Sequence, residues 1–386
     1  MNVFEKDQMY IAPTYKRFPL EIVRGAGSEV FDSQGKRYID LGSGIAVTSF
    51  GVSDPLWQEA VIAQLGKVQH MSNLYYTEPC TELAEKLCLR TGMKKVFFSN
   101  SGAEANECAI KAARKWASDH YGPEKNIIVT MENSFHGRTL TTLAATGQDH
   151  YHELFQPLTP GFVSVPAGDP DALEKVIETG RVAGVLLECI QGEGGVLPLP
   201  ADYIQTVAEW AKSRNYLFMV DEVQTGNGRT GELYSYMHFG VKPDVVSTAK
   251  GLAGGLPLGA TLLGERVQDV FHFGDHGSTF GGNPVCCAAA LSVLNRIDEA
   301  LLSEVRSKGE FLLHQFENAP GVEAVSGLGL MLGLKTVRPA SEVVTACMQN
   351  GVLCLTAKEK VRLLPALNIP FSLLAEAAEI ILEACK

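Results

Sequence analysis

The chain has 386 residues, of which 46% are apolar and 20% charged, enough to bury a sizeable core and unlike a disordered polymer. A net charge of −11 makes nucleic acid a poor partner, and no apolar run of 18 residues is present to enter a membrane. The first ten residues lack the apolar centre of a secretion signal, and nine cysteines without C-x-x-C spacing fit reduced thiols, so a cytoplasmic protein is expected.

Residues 29–40 read as two short strands around a Ser33-Gln34-Gly35 turn. From about residue 55, apolar runs at 96–98, 127–129, 185–187, 217–220 and 245–246 alternate with helical stretches such as 201–215. Strands that are apolar throughout are buried on both faces, which predicts a mostly parallel sheet covered by helices. After about residue 285 the pattern changes. Predicted helices at 284–297 and 301–318 lead into a strand-like stretch at 322–336, and a helix at 371–386 closes the chain. The expected division is a large domain at 51–285 and a smaller α+β domain formed by 286–386 together with 1–50.

Four places along this pattern carry chemistry. The first strand of the large domain is expected to end at Asn100, and Ala105, Ala109, Ala112 and Trp116 then recur at helical spacing. Ser101 and Glu104 match a capping box, while Gly102 and Ala103 leave the N–H groups and positive end of the helix open to an anion. A well-capped helix with no ligand would show the same pattern. Phe135-His136-Gly137-Arg138-Thr139 offers an aromatic face and a guanidinium fork for a carboxylate. His136, His150 and His152 lack a third ligand of fitting spacing, so no metal is expected.

Asp221 follows five apolar residues, at the carboxyl end of a buried strand where open α/β sheets bind ligands. A carboxylate there needs a facing cation or must cap the next turn. Gly226, Gly228 and Gly231 satisfy G-x-G-x-x-G, yet 232–240 is too short before Pro243 to hold the helix that a dinucleotide site requires. Lys250 is the only charged residue between 245 and 264. Desolvation lowers a lysine pKa and frees its amine, which at the ordinary pKa of ~10.4 is neutral in fewer than about one molecule in a thousand at pH 7. A buried aspartate, an open helix N-terminus and a buried lysine together meet the three needs of pyridoxal phosphate: a pyridinium partner, a phosphate seat and an aldehyde acceptor.

Taken in order, these segments resemble the class III pyridoxal-phosphate aminotransferases and, within them, the bacterial acetylornithine aminotransferases. The likeness runs through 41–47, 70–79, 99–105, 135–139, 191–195, 221–226, 249–251 and 361–365, nearly the whole chain. It implies fold type I, an α/β architecture whose large domain holds a mostly parallel sheet of seven strands flanked by helices, plus the smaller α+β domain. The implied cofactor is pyridoxal 5′-phosphate, held covalently by Lys250, which would also carry the proton shift. Asp221 would pair with the ring nitrogen, Gln224 would reach the 3′ oxygen, and Val223 and Phe135 would flank the ring. Ser101, Gly102 and Ala103 would seat the phosphate, Glu222 would belong to the same site, and the partner subunit's Thr279 would complete it. A homodimer with shared sites follows.

The implied substrates are small molecules of arginine biosynthesis, N-acetylornithine and 2-oxoglutarate, with glutamate as product. Arg138, helped by the partner subunit's Ser278, would hold the donor carboxylate. Arg362 would take the second carboxylate of 2-oxoglutarate, gated by Glu193. Ile45, where ornithine aminotransferases carry tyrosine, would favour an acylated donor. Cys189 stands where relatives usually have proline. Ornithine, succinylornithine, N-succinyl-diaminopimelate and 4-aminobutyrate are the alternative donors for the same machinery.

Overall fold

In the computed structural model, which describes residues 1–386, seven strands share one sheet. Their spatial order is Lys95–Ser99, Gly259–Leu263, Val245–Thr248, Leu217–Asp221, Val182–Leu187, Ile127–Met131 and Phe162–Val165. The last five pair in parallel, and Gly259–Leu263 runs antiparallel between Val245–Thr248 and Lys95–Ser99. Every residue of Val182–Leu187 and Leu217–Asp221 is buried, which explains the unbroken apolar run of the first and of 217–220 in the second, before Asp221 ends it at the rim. The antiparallel strand escapes sequence reading because it follows a Gly-rich stretch that reads as loop, and Phe162–Val165, an edge strand, has only one buried residue.

The helix Gly102–Tyr121 lays Ala105, Ala109, Ile110, Ala112, Ala113 and Trp116 onto the sheet. Small residues bring its axis close, and Ile110 and Trp116 fill the remaining space. Truncating a core side chain such as Ile110 to alanine costs about 2–5 kcal/mol. Helix Ala201–Ser213 covers the sheet with Tyr203, Ile204, Val207 and Ala211 and stops two residues short of the predicted end.

The 322–336 stretch is two antiparallel strands, Val322–Leu328 and Met331–Thr336, which continue into Lys360–Leu363 and Leu355–Ala357. Helices Glu299–Phe316, Ala340–Gln349 and Phe371–Cys385 pack beside this sheet. At the other end of the chain, Ile22–Ala26, Glu29–Asp32 and Arg37–Asp40 form an antiparallel sheet, which Val352–Leu353 joins in parallel. The N-terminal hairpin and the C-terminal region therefore share backbone hydrogen bonds.

The glycine motif at 226–231 has a packing role. No long helix follows it; Ser235–Phe239 is a short 3₁₀ helix. Arg229 is buried and donates to the carbonyls of Leu330 and Pro365, tying this loop to the C-terminal part of the chain. A Cβ at Gly231 would lie 2.5 Å from Cγ of Arg306, so the close approach requires glycine. All nine cysteines are free, and no helix is long and apolar enough to cross a membrane.

Candidate active site

A cavity of about 500 Å³ opens at the carboxyl ends of the parallel strands. Asp221 ends one strand and Lys250 lies two residues beyond the next. Residues 135–138 follow Ile127–Met131, Glu188 follows Val182–Leu187, and the helix Gly102–Tyr121 starts just after Lys95–Ser99. Topology gathers onto one rim residues that are up to about 150 positions apart in sequence, and it is the rim on which ligands bind in such sheets.

Asp221 is buried and fully engaged on one oxygen. Its Oδ2 accepts from Asn106 Nδ2 at 2.7 Å and His136 Nδ1 at 2.8 Å, while Oδ1 accepts from Val223 N at 2.9 Å. An ionised carboxylate can only accept, so His136 carries its proton on Nδ1, and its buried Nε2 has no partner. Glu188, another wall residue, accepts from the N–H groups of Phe135 and Gly192. Burial, helped by the charge of Asp221, pushes its pKa up to about 7, against the opposing pull of His136 and the two N–H groups.

Lys250 is the only lysine lining the cavity. Its backbone sits in the left-handed region at φ 44°, a strained setting for a non-glycine residue and one that clusters at functional sites. Burial lowers its pKa and Arg362 adds to the shift, although Glu193, Asp221 and Glu188 oppose it.

The helix start is built partly as expected. Ser101 Oγ accepts from Glu104 N at 3.2 Å, but the Glu104 carboxylate reaches back to Asn100 N rather than closing a reciprocal box with Ser101. Ser101, Gly102 and Ala103 line the cavity. A Cβ on Gly102 would lie 2.6 Å from Val223, which occupies the opposing wall, so glycine is what leaves room between them.

Charge is placed at two ends. Arg138 is exposed in the cavity, with its guanidinium 4.7 Å from the Tyr151 ring centroid and 5.7 Å from that of Phe135. Arg362 is buried on Lys360–Leu363, and its Nη1 donates to Glu193 Oε1 at 2.6 Å and to Gln224 Oε1 at 3.1 Å. Gln224 Nε2 also donates to Glu193 Oε1 at 3.1 Å. Glu193 and Gln224 line the cavity with Arg362 behind them, so the closed pair hides the second cation. Burial alone would raise the pKa of Glu193, but Arg362, Lys250 and Gln224 hold it below the ordinary carboxylate range.

Four expected residues lie elsewhere. Glu222 is buried and faces away from the cavity, accepting from Ser235 Oγ, Thr225 Oγ1 and Tyr236 N, because side chains on successive residues of a strand end point to opposite sides. Thr279 lines a separate depression with His70, Asn73 and Tyr76, and Ser278 bonds Asn100 and Gly281. Ile45 borders a neighbouring cavity of about 870 Å³ under the N-terminal segment. Its own segment is strained: Ser43, Ile45 and Ala46 all have positive φ. Sequence reading did not single out Asn106, Glu188 or Tyr151. Asn106 sits inside the quoted helical motif, but its polar side chain on a buried face could have signalled it.

The assembled site pairs a desolvated amine with a buried carboxylate, an anion-seeking helix end and two flanking apolar side chains, Val223 and Phe135. That set fits a planar cationic heteroaromatic aldehyde bearing a phosphate. Comparison with known proteins points the same way. The family described as aminotransferase class-III matches residues 10–385. The chain is 50% identical over 370 residues to the acetylornithine aminotransferase of Haemophilus ducreyi, an alignment covering 95% of this chain and 94% of the relative. The solved ornithine aminotransferase of Toxoplasma gondii, with PLP at partial occupancy, superposes with a TM-score of 0.94 at 31% identity, covering 99% and 93% of the two chains. The N-acetylornithine aminotransferase of Stenotrophomonas maltophilia gives 0.86 at 34% identity, covering 99% and 98%.

Proposed function

This chain belongs to the class III aminotransferases, enzymes that use pyridoxal phosphate, and we propose that it moves the 5-amino group of N2-acetylornithine to 2-oxoglutarate. The bound cofactor supplies an electron sink next to the carbon that loses its amino group. The observation that carries the reading is the paired cations, Arg138 open to the cavity and Arg362 covered by Glu193. One open cation suits a donor with a single carboxylate. The second suits a dicarboxylate that displaces Glu193, so one site serves two substrates in turn.

Lys250 Nζ would hold the cofactor and, once released, would serve as the amine that takes and gives a proton, for which its lowered pKa keeps more of it neutral near pH 7. The Asp221 carboxylate keeps a proton on the ring nitrogen. The N–H groups of Gly102 and Ala103, at the positive end of a helix of 20 residues, hold the phosphate. Val223 and Phe135 hold the ring between them and exclude water from its faces.

A homodimer completes the site. Thr279 lines a depression separate from its own chain's cavity, and the surface around that depression exposes Leu74, Tyr75, Tyr76 and Phe280. An apolar patch of that kind is what a self-complementary interface covers. The partner subunit's Thr279 then reaches the phosphate seat, and the partner subunit's Ser278 reaches the donor carboxylate beside Arg138. The enzyme works in the cytoplasm, where the free thiols stay reduced.

Identity to acetylornithine enzymes supports the acylated donor, whereas the fold-level match to an ornithine enzyme keeps ornithine as the second reading. Half-reactions followed by cofactor absorbance, with acetylornithine, ornithine, succinylornithine and 4-aminobutyrate in parallel, test the choice. Acetylornithine is expected to react with the highest kcat/KM. A faster reaction with ornithine would overturn the assignment.

A further inference from the structure

Asn106 is buried, lines the cavity, and has no task in the reaction described above. Its Nδ2 donates to Asp221 Oδ2 at 2.7 Å and to the His136 carbonyl at 2.8 Å, and its Oδ1 accepts from Ser247 Oγ at 2.6 Å. The His136 carbonyl can only accept, so it fixes which end of the amide faces Asp221. Three elements meet here: Asn106 comes from the helix Gly102–Tyr121, Ser247 from Val245–Thr248, and Asp221 from Leu217–Asp221, where it is register partner to Ser247. Oδ2 of Asp221 takes two donors and Oδ1 only one, which leaves Oδ1 the freer oxygen.

We propose that Asn106, anchored by Ser247, is a positioning residue that holds the Asp221 carboxylate in one orientation for the cofactor's ring nitrogen. The inference rests on the assignment of Asp221 to that nitrogen. An amide suits the place better than a cation. A lysine or arginine would compete with the ring for the carboxylate, and an apolar side chain would leave the Ser247 hydroxyl and the His136 carbonyl with an unmet hydrogen bond. The ionisable groups that face Asp221 from the surrounding elements are His136, Glu188 and Lys250. Asn106 is the uncharged member of this shell, so it contributes a fixed donor that does not titrate.

The test uses Asn106→Ala, Ser247→Ala and Asp221→Ala beside the parent enzyme. Each apoprotein is titrated with pyridoxal phosphate by absorbance, and each loaded protein is titrated with pH through its visible absorption change. Asn106→Ala is expected to weaken cofactor affinity about tenfold, the loss of one hydrogen bond to a charged acceptor. It is also expected to move the absorption midpoint up by roughly half a pH unit or more, because a ring bearing less positive charge releases the titrating proton less readily. Ser247→Ala shifts both in the same direction by less, and Asp221→Ala by more. A purely structural asparagine would lower thermal stability and leave the absorption midpoint alone. The proposal is overturned if Asp221→Ala moves the midpoint while Asn106→Ala, or Ser247→Ala should the first variant not fold, keeps affinity within about twofold and leaves the midpoint in place. If Asp221→Ala itself moves neither quantity, the ring-nitrogen assignment fails, and the proposal with it.

Discussion

Replacing Glu193 by glutamine keeps the shape of the side chain and removes the charge that covers Arg362. In the structure Glu193 Oε1 takes a 2.6 Å bond from Arg362 and a 3.1 Å bond from Gln224, with Arg362 buried and Glu193 only 26% exposed. A hydrogen bond to a charged group stabilises by about 1.5–3 kcal/mol and a neutral one by about 0.5–1.5 kcal/mol, so the substitution weakens the cover by roughly 1–1.5 kcal/mol. A dicarboxylate must displace that cover, so half-saturation by glutamate is expected to fall about five- to tenfold. Acetylornithine, whose lone carboxylate can now settle on the wrong cation, is expected to react more slowly by a similar factor. Single-turnover absorbance with each substrate alone reads both changes. The pKa of Glu193 lies below its ordinary value, so the pair is complete above the usual carboxylate range and is lost only as pH falls through the lowered value. Selectivity in the parent enzyme should therefore be flat from about pH 6 to 8. If Glu193→Gln leaves glutamate and acetylornithine saturation unchanged, Arg362 is not the second carboxylate site and the gating argument fails.

Lys250→Ala removes the amine that holds the cofactor and carries the proton, and kcat is expected to fall about 10³-fold or more in steady-state assays; a near-normal rate would remove the central assignment. Arg138→Lys keeps the charge but loses the planar fork, so KM for the amino donor should rise about tenfold with kcat little changed, and an unchanged KM would move the donor carboxylate elsewhere. Glu188 makes a stability prediction. Its pKa is raised to about 7 in the folded protein, so the folded state binds the extra proton, and stability is highest below the ordinary glutamate pKa and declines as pH rises through 7. The decline is on the order of 3 kcal/mol. Thermal melts from pH 5 to 8 should slope downward in the parent and flatten in Glu188→Gln; equal slopes would show that Glu188 is ionised throughout.

Sheet type, helix faces and the identity of the reactive groups can be read from the chain before it is folded. Unbroken apolar runs at Val182–Leu187 and 217–220 are the signature of strands covered on both faces, and a lone lysine in a 20-residue stretch with no other charge is costly to bury without a purpose. These are local properties, written in composition and period. Which groups meet is settled by how the elements pack. Nothing in the spacing of Asn106, His136, Asp221 and Ser247 predicts one hydrogen-bonded cluster, because the crossover connections that bring their elements together are set by strand order. The antiparallel strand Gly259–Leu263 was hidden for a related reason: its place in the sheet depends on its neighbours Val245–Thr248 and Lys95–Ser99, not on its own pattern. The same holds for the orientation of Glu222, adjacent to Asp221 in the chain and turned to the opposite side, and for the cover of Glu193 over Arg362, 169 residues apart. Residue chemistry is local, but its direction and its partners are long-range properties that only the folded chain can fix.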